Sequence, residues 1–445
     1  MLNTEVHALS RITDQSPRIV SAHRIGGDAE AIEVAQALAA EFALGAADRD
    51  RDRVLPWPEI ERFSASGLGG ITVPREYGGA EVSYATLVRV FQILSAADPS
   101  LGQIPQNHFG FLSLIRLVGS AQQQHRYFTG VLEGRRLGNA GPERGTKNTA
   151  DVSARVTART PARAEVSVSS GSASGSAGLS ERPESQPTFV VSGRKFYSTG
   201  ALFAHWIPVK VQNEAGQMVV VVLERGSAGL TIVDDWSGFG QRTTASGTVV
   251  IEDVEVNADD ILPAWQAANR HTIQGAVSQI IQAAIDAGIA QAAIADTVKF
   301  LRERARPWVD AGVERATQDP FVVGEVGRLY IDLHAAEEVL VRAASVLDEL
   351  NKELLTPGQE LDADDAARAS IAVARAKALT TEIALTASEK LFELSGARAS
   401  LAEFGLDRHW RNARVHTLHD PVRWKYHAIG NRLLNGIAPK RHFWI

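Results

Sequence analysis

Met218-Val-Val-Val-Val-Leu223, with Phe189-Val-Val191 before it and Thr248-Val-Val-Ile251 after it, belongs to a set of short β-branched runs separated by Gly, Asp and Asn. Runs of that length and composition form strands, so residues 138–262 read as a small β domain. Outward from it, in both directions, the period becomes helical. Toward the N-terminus, Ile32, Ala35, Leu38 and Phe42 follow Asp28, and Leu87, Val90, Phe91 and Leu94 follow Ser83. Each series opens on a polar residue suited to cap a helix. Residues 28–137 are therefore expected to be a helical domain, interrupted by the turn Val73-Pro-Arg-Glu-Tyr-Gly-Gly79, with a further apolar run ending at Gly119. Toward the C-terminus, Ile273, Val277, Ile280, Ala284 and Ile285 mark a helix running to about Arg304. Leu329, Leu333, Ala336, Leu340, Ala343 and Leu347 line a second, from Phe321 to Leu355. Asp362 or Asp364 opens a third, through Ala372, Ala376, Leu379, Ile383 and Leu394, which Gly396 ends. Helices this long with short connections describe an antiparallel four-helix bundle over residues 263–445. The fold class is thus α+β: a helical domain, a small β domain and a C-terminal bundle. Two stretches stand apart. Residues 1–27 have no clear period and read as a flexible tail. Residues 167–187, rich in Ser and Gly with Pro183 and Pro187, read as a mobile insertion between strands.

Composition narrows the function classes. The 445 residues are enough for about three domains. Hydrophobic residues at 44% and charged residues at 22% describe a folded chain rather than a disordered one. A net charge of −6 without a long basic run argues against nucleic acid or an anionic membrane as the main partner. The absence of cysteine removes disulfides, thiolate catalysis and Cys-ligated metal centres together. No apolar run reaches a membrane span and no signal-peptide core is seen at the start, so a cytoplasmic protein is expected.

The order of the three domains and six local motifs resembles the acyl-CoA dehydrogenase superfamily. The motifs are Val73-Pro-Arg-Glu-Tyr-Gly-Gly79, Lys195-Phe-Tyr-Ser-Thr-Gly200, Gly238-Phe-Gly-Gln-Arg242, Ile251-Glu-Asp-Val-Glu-Val256, Leu301-Arg-Glu-Arg304 and Trp410-Arg-Asn-Ala-Arg414. They span roughly residues 28 to 440. Within that superfamily the chain is most similar to the dibenzothiophene monooxygenase and sulfur-acquisition flavin monooxygenase group. The residues carrying this are Ala96-Ala-Asp-Pro-Ser-Leu-Gly102 with His108, Ala305-Arg-Pro-Trp308, and Arg411-Asn-Ala-Arg-Val-His-Thr-Leu-His-Asp-Pro421. The resemblance implies a two-component enzyme. A separate NAD(P)H-dependent flavin reductase supplies reduced FMN, dioxygen adds to it as a C4a-hydroperoxide, and a small organosulfur or aromatic heterocyclic substrate is oxygenated, in sulfur metabolism. It further implies a homotetramer.

The segment His419-Asp420-Pro421 separates two activities. Many dehydrogenases of the superfamily carry a Glu base in a Tyr-Glu-Gly turn near this point, for which Asp420 is the shorter counterpart. The alternative reading is therefore an acyl-CoA dehydrogenase with bound FAD and Asp420 as base. His419 and His416 fit oxygenation better, because imidazole can hold or deliver a proton near neutral pH. His108 is a further catalytic candidate. The resemblance places Tyr197 against the flavin ring, Thr199 as a hydroxyl donor near flavin N5, Asn139 beside the flavin pocket, and Arg302 and Arg398 on the flavin phosphate, Arg302 from a neighbouring subunit. Each has a plainer reading. Most histidines are structural or exposed, Phe196 to Thr199 is also an alternating strand, and surface arginines are mostly solvated. His416 and His419, three residues apart, could mimic a metal pair, yet no second carboxylate and histidine set accompanies them, so no metal is expected. A third reading is a non-enzymatic helical interaction protein that has kept the fold and lost the cofactor. The insertion at 167–187 and the neighbourhood of Glu143-Arg144 depart from the family pattern near the substrate entrance, so the substrate does not carry over.

Overall fold

In the computed structural model, residues 16–159, 188–354, 360–442 and 444–445 are described; the insertion expected at 167–187 lies outside them. The N-terminal helices are α1 (Asp28–Ala43), α2 (Ala46–Asp52), α3 (Trp57–Ala65), α4 (Tyr84–Ala97), α5 (Pro99–Gln103), α6 (Gln106–Val118) and α7 (Ala121–Leu132). Their starts follow from side chains that satisfy otherwise orphaned N–H groups. Ser83 Oγ accepts from the Thr86 N–H, Asp98 from the Ser100 N–H, and Ser120 forms a capping box with Gln123. Asp28 does something other than cap its own helix. Gly27 holds that position, and the Asp28 carboxylate accepts from the Ser83 N–H (2.9 Å) and the Ser83 and Thr86 hydroxyls (2.7 and 2.6 Å), fastening α1 to the start of α4. The flexible-tail expectation also changes for residues 16–27. The His23 N–H donates to Ala65 O at 2.9 Å, Arg18 O takes a bond from His205, and Ile25 is buried.

The sheet has seven strands: β1 (Arg155–Ala158), β2 (Thr188–Lys195), β3 (Trp206–Gln212), β4 (Met218–Glu224), β5 (Leu230–Val233), β6 (Thr248–Asn257) and β7 (Ile261–Leu262). Their order is β5-β6-β2-β1-β3-β4-β7, antiparallel except for β1 beside β3. The unbroken valine run of β4 has a simple cause. Val219, Val221 and Leu223 pack into the β core with Ile207, Val209 and Val211, while Val220 and Val222 join the core of the helical domain. A strand buried on both faces loses the alternation of a half-exposed one.

The C-terminal helices are α8 (Ala264–Asn269), α9 (Gln274–Glu303), α10 (Pro320–Leu354), α11 (Ala363–Ser395), α12 (Asp407–His416) and α13 (Arg423–Asn435). At the centre, α9 is long and apolar enough to cross a membrane, yet 83% of its most apolar window is buried against α4, α10 and α11. Gly288 permits the approach to α4, since a Cβ there would lie 2.6 Å from Gln92 O. The expected four-helix bundle is realised by three long helices. The fourth place is divided between α12 and α13, because the chain turns at residues 417–422 and Pro421 has no N–H to continue a helix.

Candidate active site

The three parts of the chain meet around one cavity of about 570 Å³. Gln103, Gln106 and Phe111 reach it from α5 and α6, Gln279 and Gln282 from α9, and Asn139, Tyr197, Thr199, Lys210, Trp236 and Ser246 from the β domain. The turn after α12 contributes Leu418 and His419. A cavity of this size takes a tricyclic ring system together with a small substrate.

The histidine turn is anchored from behind. His416, fully buried, sets Nδ1 2.5 Å from Asp286 Oδ1, and Asp286 Oδ2 takes Lys377 Nζ at 2.6 Å and the Thr381 hydroxyl at 3.0 Å. Burial alone would raise the Asp286 pKa; Lys377 and His416 outweigh it and hold this carboxyl well below the usual range. Gln103 bridges the two rings, its Oε1 3.0 Å from His416 Nε2 and its Nε2 3.0 Å from His419 Nε2. His419 Nδ1 returns to the His416 carbonyl oxygen at 2.6 Å. Part of the His419 ring is open to the cavity, while protein packs its other sides. That packing, and then the neighbouring His416, push the His419 pKa down to about 4.

On the β side, polarity is fixed by a chain of hydroxyls. Thr244 Oγ1 donates to Gln241 O (3.0 Å), Ser246 lies 2.7 Å from Thr244, and Thr199 lies 2.7 Å from Ser246. Gln241 O can only accept, and it also takes the Trp236 indole N–H at 2.9 Å. With Thr244 donating to it, Ser246 donates to Thr244 and Thr199 to Ser246, which turns the Thr199 lone pairs to the cavity, whereas the opposite sense has Thr199 donate into the cavity. Tyr197 is half-exposed with φ 57°, a left-handed conformation uncommon for an aromatic residue. Asn139 Nδ2 steadies the turn by donating to Tyr197 O at 3.3 Å. Glu143 and Arg144 brace the same turn, through a buried 2.6 Å ion pair with Lys195 and a guanidinium 4.2 Å from the Phe196 ring centroid.

Thus His419, Thr199, Tyr197 and Asn139 come together, with His416 immediately behind. Four other candidates do not join them. His108 is buried, its Nδ1 accepting from the Leu137 N–H (3.0 Å) and its Nε2–H donating to Gly69 O (2.8 Å), so both nitrogens are spent on backbone. Asp420 is buried and ion-paired with Lys425 at 2.9 Å, outside the cavity wall. Arg302 and Arg398 lie exposed on the chain's surface, also outside that wall. Sequence reasoning missed Gln103, Asp286 and Lys377. The signal for the last two was a charge in the middle of an apolar helical stripe, Ile285-Asp-Ala-Gly-Ile289 and Val373-Ala-Arg-Ala-Lys-Ala-Leu379.

The cavity fits a flavin on its own chemistry. Gln106 Oε1, Gln282 Oε1 and both side-chain polar atoms of Gln241 are buried without a hydrogen-bond partner. Orphaned amides call for a ligand with a polar edge, and Tyr197 and Trp236 supply flat apolar faces for a ring. Lys210 is the cationic lysine or arginine of the wall among the described residues.

Comparisons with known proteins agree. The acyl-CoA dehydrogenase N-terminal domain matches residues 30–135 and the C-terminal domain residues 280–424. Dibenzothiophene monooxygenase of Rhodococcus qingshengii is 31% identical over 429 residues, 94% of this chain and 96% of its own. A probable FMNH2-dependent monooxygenase of Pseudomonas putida, SfnC, is 26% identical over 93% of this chain and 97% of its own. TdsC from Paenibacillus sp. A11-2 has been solved with FMN bound and with FMN and indole. Both structures are 28% identical to this chain with a TM-score of 0.82, covering 93% of it and 100% and 99% of theirs. The chain belongs to the acyl-CoA dehydrogenase superfamily. Its place there is the flavin-dependent monooxygenase branch that includes dibenzothiophene monooxygenase.

Proposed function

We propose that the protein is the oxygenase of a two-component system. It takes reduced FMN from an NAD(P)H-dependent flavin reductase and uses dioxygen to oxygenate a small organosulfur or aromatic heterocyclic compound, in cytoplasmic sulfur acquisition. The observation that carries this reading is the wall of the cavity: it presents His419 and, among the described residues, no carboxylate. An acyl-CoA dehydrogenase needs a carboxylate to take the α-proton, and Asp420 is buried and held by Lys425. Bound reduced FMN supplies the two electrons that activate dioxygen. The chain's own residues exclude water, orient the ring and place a proton-handling imidazole at its edge. With its hydroxyl proton directed at Ser246, Thr199 presents lone pairs that suit the N5–H that reduced flavin has and oxidised flavin lacks. A planar aromatic substrate accords with the indole in TdsC and with the apolar Phe111, Leu114 and Trp236 of the wall.

We further propose a homotetramer in which Arg302 reaches the flavin phosphate of a neighbouring copy, with Arg398 as a second phosphate contact. Phe321, Ile331, Leu433 and Leu434 are exposed on one chain, as apolar residues awaiting an interface are. A monomer by light scattering at micromolar concentration would remove this part.

The test of the function is His419→Ala. The variant should fold and bind reduced FMN, yet lose product by roughly 10² to 10⁴ in rate, the scale of general acid and base contributions, with oxygen diverted to hydrogen peroxide. Full coupling in a stable variant would overturn the assignment. Tight yellow FAD bleached by an acyl-CoA would restore the dehydrogenase reading.

A further inference from the structure

Four hydrogen bonds run in line between two groups that can only accept. The line starts at the Asp286 carboxylate and passes through His416, Gln103 and His419 to the carbonyl oxygen of His416. The contacts are 2.5, 3.0, 3.0 and 2.6 Å, so each needs a proton between its heavy atoms. The three groups between the ends supply one proton each when neutral. An imidazole has a single N–H, and the amide gives one N–H forward while its oxygen accepts behind. Three protons do not fill four bonds. Turning the Gln103 amide over exchanges its two ends and leaves the count unchanged.

We propose that this line carries one proton beyond those its neutral groups supply, that the proton makes one of the two imidazoles cationic, and that the Gln103 amide decides which. With Oε1 toward His416, that ring donates at both nitrogens and His419 accepts from the amide. With the amide reversed, His416 accepts and His419 donates at both. The positive charge therefore has two addresses, one fully buried beside Asp286 and one at the cavity wall. A ligand that becomes negative in the cavity draws it to His419; a neutral one leaves it on His416. Gln103 acts as a positioning residue, through the two rings it joins.

The surrounding charges bear on the balance from each packed element. Burial opposes the extra proton on either ring, and Lys377 on α11 opposes it too; Asp286 on α9 and Asp420 in the turn favour it. Lys425 on α13 is already paired with Asp420. Against the opposing effects stands the alternative of two lone pairs facing each other at 3.0 Å or less, too close for a water to separate them.

The use made of the charge rests on the oxygenase reading, but the proton count does not, and it can be read on flavin-free protein. Histidine-selective ¹⁵N labelling with solid-state NMR near neutral pH distinguishes a ring protonated at both nitrogens from one with a bare nitrogen. His416→Asn and His419→Asn identify the two signals by difference. The wild-type protein should show one doubly protonated ring between the two. Gln103→Met cuts the line into two bonds that neutral rings fill, so the count should fall to none. Gln103→Glu puts a pure acceptor in the middle, so both rings should become doubly protonated. Two neutral rings in the wild type would overturn the proposal, as would an unchanged count in a folded Gln103→Met protein. If Gln103→Met fails to fold, the wild-type spectrum alone decides. Because no turnover is involved, a correct count with an inactive enzyme would refute the oxygenase reading and leave the line intact.

Discussion

Replacing His108 with glutamine separates a structural histidine from a catalytic one. In the folded protein His108 bridges the Leu137 N–H and the Gly69 carbonyl as a neutral ring, and burial, with a further push from Arg136, lowers its pKa to about 4. In the unfolded chain the same ring titrates near 6.5. The folded pKa is the lower one, so the unfolded state takes up the proton first as pH falls. Stability is intact above about 6.5 and erodes down to about 4. Integrating between those values, one such histidine costs about 2 kcal/mol of stability at about pH 5 compared with neutral pH. Glutamine can accept from Leu137 and donate to Gly69 without titrating. Urea unfolding of wild type and His108→Gln at both pH values should therefore show a loss smaller by about 2 kcal/mol in the variant. His205 stands in the same arrangement, accepting from the Arg136 N–H and bonding Arg18 O with its pKa lowered to about 4, so the variant should retain that second share of acid sensitivity. Equal losses in the two proteins would refute the linkage. An unchanged stability profile with abolished product formation would return His108 to catalysis.

Asp286→Ala should cost about 3–5 kcal/mol, because it strands Lys377 and His416 in the core, whereas the double change Asp286→Leu with Lys377→Met should be less harmful than Asp286→Leu alone; chemical denaturation of the three reads both. Thr199→Val should narrow the preference for reduced over oxidised FMN by about five- to tenfold, the value of one hydrogen bond, in anaerobic and aerobic binding titrations; an unchanged ratio would remove the acceptor role. Arg302→Ala should weaken reduced-FMN binding in the assembled protein, and a variant that binds normally as an intact oligomer would end the shared phosphate site.

Most of the fold was legible because period and capping are local properties. The long helices α9, α10 and α11 run within a residue or so of the extents their apolar spacing predicts, and Ser83 caps α4 as its position implied. What misled was chemistry that acts across the chain. Asp28 looks like a cap for the helix it begins and instead holds α4, 55 residues away at Ser83. His108 and His416 are alike as letters, yet one meets two backbone groups and the other a buried carboxylate, a difference created by residues 69, 137 and 286. Family resemblance pointed to Tyr197, Thr199 and His419, which line one cavity, but does not bear on the direction of the Thr199 proton. That depends on where the hydroxyl chain ends, at a carbonyl in a loop no local pattern describes.

Gly240 gives that loop a consequence of its own. A Cβ at this position would lie 1.9 Å from the carbonyl oxygen of Arg411, so the loop from Gly238 to Gly247 lies directly against the backbone of α12. The bond from the Gln241 N–H to Asn412 Oδ1 joins the same two surfaces at 2.6 Å. The carbonyl that orients the hydroxyls is thus held in place by a helix of another domain. The β domain alone would keep the carbonyl and the hydroxyls, with the Trp236 indole N–H as its remaining tie to Gln241 O. A single methyl group at Gly240 would meet helix backbone rather than a flexible side chain, so the seam would have to open to admit it and the Gln241 carbonyl would move with the loop. Such a lesion would cost stability and disturb the hydroxyl chain together, which makes the seam between domains as much a part of the flavin site as its walls.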